Sequence, residues 1–196
     1  ERSRGLGDVY KRQLSYLLHI TCRLPNTRIE FLGSPMENSA RSNFQIPNDA
    51  LMPDINKKAV FLDRDGTIII EKSFISTPDE VELIPGSVQA LAKLTKAGYA
   101  LVIVTNQSGV ARGYFDEKTV QSVNAHLIKI LYEAGVEIAA IYYCPHYAQG
   151  IVPAYSVECT CRKPKTGMVE KAITELNIQP AFVIGDRSSD IELGIN

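Results

Sequence analysis

From Lys57 onward, short apolar runs alternate with longer segments of helical period. Few folds accept that pattern. Lys58–Leu62 (KAVFL), Tyr99–Val104 (YALVIV), Glu137–Tyr143 and Ala181–Ile184 (AFVI) read as strands. The near-continuous apolar character of these runs predicts burial on both faces, as in a parallel sheet. Between them, Ser87–Ala97, Asp116–Ala134 and Met168–Leu176 carry apolar residues at helical spacing. In the longest segment these are Val120, Val123, Leu127, Ile130, Leu131 and Ala134. Gly98 and Gly135 follow the first two segments as stop signals. The pattern predicts an α/β fold, a Rossmann-like parallel sheet flanked by helices, with ligands bound at the C-terminal ends of the strands.

Residues 1–56 lack this order. They read as a linker-like N-terminal segment, set apart from a core spanning 57–196, and no function is assigned to them. Gly7–Gln13 (GDVYKRQ) resembles sequencing-adapter read-through; the tail of a fused upstream domain is the alternative. Leu14–Ile20 is apolar, but no small-x-small cleavage site follows it. The chain stops at Asn196 inside what reads as the start of a helix, so the core is expected to be truncated at its C-terminus. With 21 basic and 22 acidic residues, the net charge of -1 argues against a partner held by bulk electrostatics, such as nucleic acid or a membrane surface.

Polar clusters follow three of the strands. They are Asp63-Arg64-Asp65-Gly66-Thr67, Thr105-Asn106-Gln107-Ser108-Gly109 and Gly185-Asp186-Arg187-Ser188-Ser189-Asp190. Taken singly, each has a bland reading: Asp186 as a turn residue, Thr105 as a helix cap. Together they lie at strand ends of one sheet, where the fold makes them converge. Asp63, Asp65, Asp186 and Asp190 gathered there would repel one another unless a cation intervened. Hard carboxylate oxygens make Mg²⁺ the natural occupant.

With Lys163, these clusters resemble the four motifs of the haloacid-dehalogenase-like phosphohydrolases. The resemblance implies that Asp63 is the nucleophile, taking the phosphoryl group as an aspartyl-phosphate. It implies that Asp65 is the general acid and base, and that Thr105 and Lys163 stabilise the phosphoryl group. Asn106, with Thr105, would hold phosphate oxygens. The Mg²⁺ ligands would be the Asp63 side chain, the Asp65 main-chain carbonyl and Asp186, with Asp190 orienting them from behind.

Cys144, His146, Cys159 and Cys161 form a Cys-x-His, loop, Cys-x-Cys pattern, the donor set of a closed structural Zn²⁺ site. The alternative is a disulfide with a spare thiol, for which Cys-x-Cys spacing is poorly suited. Zinc would pin the loop Pro145–Thr160 and, through Arg162 next to Cys161, anchor Lys163. Cys22 is assigned no role.

That loop resembles two phosphatase groups of the family, the heptose 1,7-bisphosphate phosphatases and the histidinol-phosphate phosphatases. Thr105–Gly113 (TNQSGVARG), Ile141–His146 (IYYCPH) and Cys161–Met168 (CRKPKTGM) favour the heptose enzymes. The expected activity is therefore Mg²⁺-dependent removal of the 7-phosphate, feeding heptose into surface-glycan precursors. Histidinol phosphate is the rival substrate, and a zinc-stabilised binding module without catalysis the remote one. Expected substrate contacts are Asn106, Gln107, Ser108, Arg112, Arg162, Arg187, Glu71 and Phe74, the arginines suiting a second phosphate. A minimal flap should cover the substrate. It departs from the heptose enzymes in having Ile69 where they carry Asn, and Ser73-Phe74 where they carry Gly-Tyr. The expected protein is a cytoplasmic monomer whose partner is a phosphorylated small molecule.

Overall fold

The computed structural model describes residues 57–196. The expectations for residues 1–56, Cys22 included, lie outside the described residues. Strands β1 (Lys58–Leu62), β2 (Ala100–Asn106), β3 (Ala140–Cys144) and β4 (Gln179–Ile184) form a four-stranded sheet in the order β3-β2-β1-β4. Every pairing is parallel. Helices α1 (Ser87–Lys96), α2 (Glu117–Glu133), α3 (Gly167–Leu176) and α4 (Ser188–Ile195) complete the regular structure.

Alternation along β1 divides the core. Val60 and Leu62 join Leu101 and Ile103 of β2 beneath Leu91 of α1 and Val123, Leu127 and Leu131 of α2. Ala59 and Phe61 join Val102 and Val104 on the opposite face, against Met168, Val169, Ala172 and Ile173 of α3 and Leu193 of α4. Each buried Val, Leu, Ile or Phe contributes about 1.5–3 kcal/mol relative to exposure, so the two central strands hold the fold.

The chain runs β1 to β2 to β3 in one direction, then crosses back so that β4 pairs with the other edge of β1. A crossover of constant hand must then change faces. This reversal opens a crevice at the C-terminal ends of β1 and β4, the place where open α/β sheets bind ligands.

Element boundaries differ from the sequence expectation where pairing overrides local pattern. β2 continues to Asn106 because Thr105 and Asn106 pair with Tyr143 and Cys144. β3 begins at Ala140, not Glu137, because its register with β2 starts at Val102. After β1 the chain forms a small flap, in which Ile70 N donates to Glu82 O and Ile84 N donates to Ile68 O. A single 3₁₀ turn, Pro78–Glu80, lies within it. Ile69 is fully buried at its base. Among the described residues, no helix is long and apolar enough to cross a membrane.

Candidate active site and metal centres

The crevice collects the acidic clusters. Asp63 follows β1, Asp186 follows β4, and Asp190 lies in the first turn of α4; carboxylate oxygens of the three lie within 4.8 Å of one another. Lys163, reaching in from the segment before α3, places Nζ 2.9 Å from Asp63 Oδ1 and 2.6 Å from Asp190 Oδ1. Its side chain is 1% exposed. Three carboxylates face one ammonium, Asp63 and Asp190 buried and Asp186 exposed at the mouth, so the group carries an excess of negative charge. Burial raises the Asp63 carboxyl to about 6, although Lys163 opposes the shift. A hard divalent cation would relieve that excess, and the donor set fits Mg²⁺.

Two glycines make room for this cluster. Gly66 has φ +80°, and a Cβ there would lie 2.3 Å from Asp186 Oδ2. A Cβ on Gly185 would lie 2.2 Å from Asp190 Cγ. Gly66→Ala is accordingly expected to displace Asp186 and weaken Mg²⁺ binding by about tenfold or more, the scale on which misoriented metal ligands lower affinity. Titration of activity against Mg²⁺ measures this; an unchanged Mg²⁺ requirement would exclude Asp186 as a ligand.

The Asp65 carboxylate, expected with the other three, is not part of that group; it is held instead by donors on both oxygens. Gln107 Nε2 donates to its Oδ2 at 2.8 Å and Thr105 Oγ1 at 3.4 Å. Gln107 also donates to Thr105 Oγ1 at 2.9 Å. Arg64 reaches Oδ2 through Nε and Oδ1 through a terminal nitrogen, each at 3.1 Å. Asp63 is held through Oδ1, which also accepts from Arg64 N at 2.7 Å.

The other expected contacts have varied surroundings. The Asn106 side chain is committed to Lys163, accepting from its N at 3.0 Å and donating to its O at 3.2 Å. Arg187 pairs with Glu71, tying the flap to the loop after β4. Arg112 Nε donates to Ser108 Oγ at 3.4 Å. Its guanidinium lies 4.1 Å from the centroid of Tyr147 and 5.8 Å from that of Phe74. Arg162 approaches Tyr147 at 5.2 Å and donates to His146 O at 3.2 Å. Phe74, at φ 68°, meets the Tyr114 ring edge-on at 4.7 Å. Flap and loop thus present an arginine-aromatic wall.

Sequence reading missed Tyr114, Tyr147, Arg64 and Asn124. A signal existed for the last: Asn124 is a polar residue on the apolar stripe of α2, between Val123 and Leu127, and is buried.

The second cluster is sulfur-rich. Cys144, at the end of β3, His146, Cys159 and Cys161 bring one donor atom each within 4.8 Å of the others. The sulfurs are 3.1–3.6 Å apart and the three cysteines are free, so the disulfide alternative falls away. Burial pushes the Cys144 thiol far above its usual range. Three thiols and an imidazole crowded this closely suit a soft or borderline cation, which would favour the thiolates.

A carboxylate cluster at the switch point of a parallel sheet, a buried lysine and a flap define a phosphatase of the haloacid-dehalogenase-like class. A family model described as polynucleotide kinase 3 phosphatase matches residues 58–190. The D-glycero-beta-D-manno-heptose-1,7-bisphosphate 7-phosphatase of Pasteurella multocida is 46% identical over 140 residues, covering 70% of this chain and 76% of that protein. Its Escherichia coli K12 namesake is 40% identical over 139 residues, covering 70% and 73%. Among solved structures, a HAD-like phosphatase from Mesorhizobium loti superposes with a TM-score of 0.67 at 29% identity, over 89% of this chain and 73% of that one. The D,D-heptose 1,7-bisphosphate phosphatase of B. bronchiseptica, complexed with magnesium and phosphate, gives 0.59 at 34% identity, over 70% and 74%. The chain belongs to the haloacid-dehalogenase-like phosphatases, in the family of the heptose 1,7-bisphosphate 7-phosphatases.

Proposed function

We propose that this chain hydrolyses the 7-phosphate of D-glycero-D-manno-heptose 1,7-bisphosphate through an aspartyl-phosphate on Asp63. The observation that carries the chemistry is the buried Asp63–Lys163–Asp190 array beside Asp65. Asp63 Oδ2 attacks phosphorus while Lys163 and Thr105 balance charge on the phosphoryl oxygens. Asp65 gives its proton to the leaving sugar oxygen, then takes one from the water that releases phosphate. Asp63, Asp186 and the Asp65 carbonyl would hold Mg²⁺, with Asp190 steadying Lys163. When bound, the cation lowers the repulsion between the Asp63 carboxylate and the incoming phosphate.

Zinc at Cys144, His146, Cys159 and Cys161 would staple a loop that has no apolar core of its own. Arg162 and Lys163 follow the last of these ligands directly, so the staple also sets the height of the catalytic lysine. Arg112 and Arg162, which flank Tyr147 at 4.1 and 5.2 Å, supply the cationic surface that a retained second phosphate requires. That demand separates a bisphosphate from histidinol phosphate, whose other end is an amine and an imidazole. Heptose membership of the relatives supports the same choice.

Side-by-side assay of heptose 1,7-bisphosphate and histidinol phosphate tests the substrate. The bisphosphate is expected to have the higher kcat/KM by about two orders of magnitude, the worth of a charge-assisted contact pair. A preference for histidinol phosphate would overturn the assignment.

A further inference from the structure

Arg64 lies between the two aspartates of the first cluster, yet its side chain is 1% exposed. Removing a guanidinium from water costs several kcal/mol, and an apolar side chain would fill the same space without that cost. The positions of its N–H groups indicate what the charge is for. Nε and one terminal nitrogen grip both oxygens of Asp65, at 3.1 Å each. The other terminal nitrogen donates to Asn124 Oδ1 at 2.7 Å. Asn124 is itself buried, on a face of α2 otherwise lined by Val120, Val123, Leu127 and Leu131. A polar side chain in an apolar stripe that spends its acceptor on Arg64 is a brace for that guanidinium.

The remaining donors to Asp65 are Thr105 and Gln107. In the proposed reaction Thr105 turns to the phosphoryl group, which loosens that side of Asp65. Arg64 has no such second duty. Its planar fork fixes the carboxyl plane and not merely its position, and Asn124 keeps the fork from rotating.

We propose that Arg64, braced by Asn124, is a positioning residue that aims the Asp65 carboxyl at the leaving oxygen. The proposal rests on the reading of Asp65 as the proton-transfer group. In that step the ester P–O bond breaks as phosphorus bonds to Asp63 Oδ2. The Asp65 proton passes to the departing alkoxide, giving the free sugar hydroxyl. Water then attacks phosphorus, Asp65 recovers a proton from it, and inorganic phosphate leaves with Asp63 restored.

Leaving-group dependence separates aim from general structural support. A sugar alkoxide needs the proton, whereas p-nitrophenolate departs without it. The quantity to compare is kcat/KM, which ends with loss of the leaving group, measured on heptose bisphosphate and on p-nitrophenyl phosphate. Arg64→Met is expected to lower the first by about 100-fold, within the range of a general-acid contribution, and the second by less than about threefold. Arg64→Lys, which has no fork, should fall between. Asn124→Ala should show the same bias at about tenfold, and decides the matter if Arg64→Met does not fold. Parallel losses on both substrates, or no loss on either, would overturn the proposal. Asp65→Asn, followed in the first turnover, is the control. If it lacks the bias, the proton-transfer reading fails as well; if it alone shows the bias, only the role of Arg64 fails.

Discussion

Asp63→Asn is expected to abolish Mg²⁺-dependent phosphate release while leaving bound zinc at one per chain. The amide has the shape of the carboxylate but no nucleophilic oxygen, so the loss should be on the order of 10⁴-fold or more. Folding should survive the change. In the protein the Asp63 carboxyl is raised to about 6 by burial, so its stabilising influence is present when protonated and is lost as pH rises past that value. Asn stays neutral throughout, and the variant should melt no lower than the parent at neutral pH. Phosphate release, melting and zinc content on one preparation give the answer. Full residual activity would remove Asp63 from the nucleophile's place, whatever the rest of the site does.

Cys159→Ser is expected to lower stability and activity together. A serine oxygen is a poor replacement for a thiolate at a site of three sulfurs and one nitrogen, and zinc should be lost. The loop that carries these donors then keeps mainly hydrogen bonds, such as those from Ile151 N and Val152 N to Ala111 O. It contributes no apolar residue to the core apart from Cys144, with Cys159 and Cys161 packed against its edge. Losing ~2–3 kcal/mol would lower Tm by roughly 5–10 °C for a domain of this size. Activity should fall because Lys163 follows Cys161 by two residues and is placed through that loop. Treating the unmutated protein with a strong chelator, then restoring Mg²⁺ alone, should reproduce both losses. Unchanged melting and kinetics after demonstrated loss of zinc would mean that the loop is held by other contacts, such as Tyr155 Oη donating to Glu117 at 3.1 Å.

Much of the architecture could be read from local pattern. Phe61, Val102 and Val104 belong to runs whose apolar character persists over consecutive positions, and only strands buried on both faces satisfy that. The metal-type donors were equally legible, because sulfur, imidazole and carboxylate side chains announce their chemistry wherever they stand. Less legible was the flap. Its hydrogen-bonded edges, Ile68–Ile70 and Glu82–Ile84, are too short for a periodic signal to rise above chance. The end of β2 was hidden for a different reason: Thr105 and Asn106 look like loop residues until β3 pairs with them.

By itself the sequence determined which chemistry stands at the end of each strand: carboxylates after β1 and β4, a hydroxyl and amides after β2, sulfur after β3. Tertiary structure decided who meets whom. Lys163 lies between Asp63 and Asp190, Asn106 serves the Lys163 backbone, and Arg187 pairs with Glu71, a residue 116 positions away. Arg64 finds Asn124 across 60 positions. Local periodicity reports only which face a side chain takes on its own element. Partners across such distances follow from the strand order β3-β2-β1-β4, which sets β1 beside β4 and makes the crevice between them. That order results from packing two apolar faces at once, a balance no single segment contains.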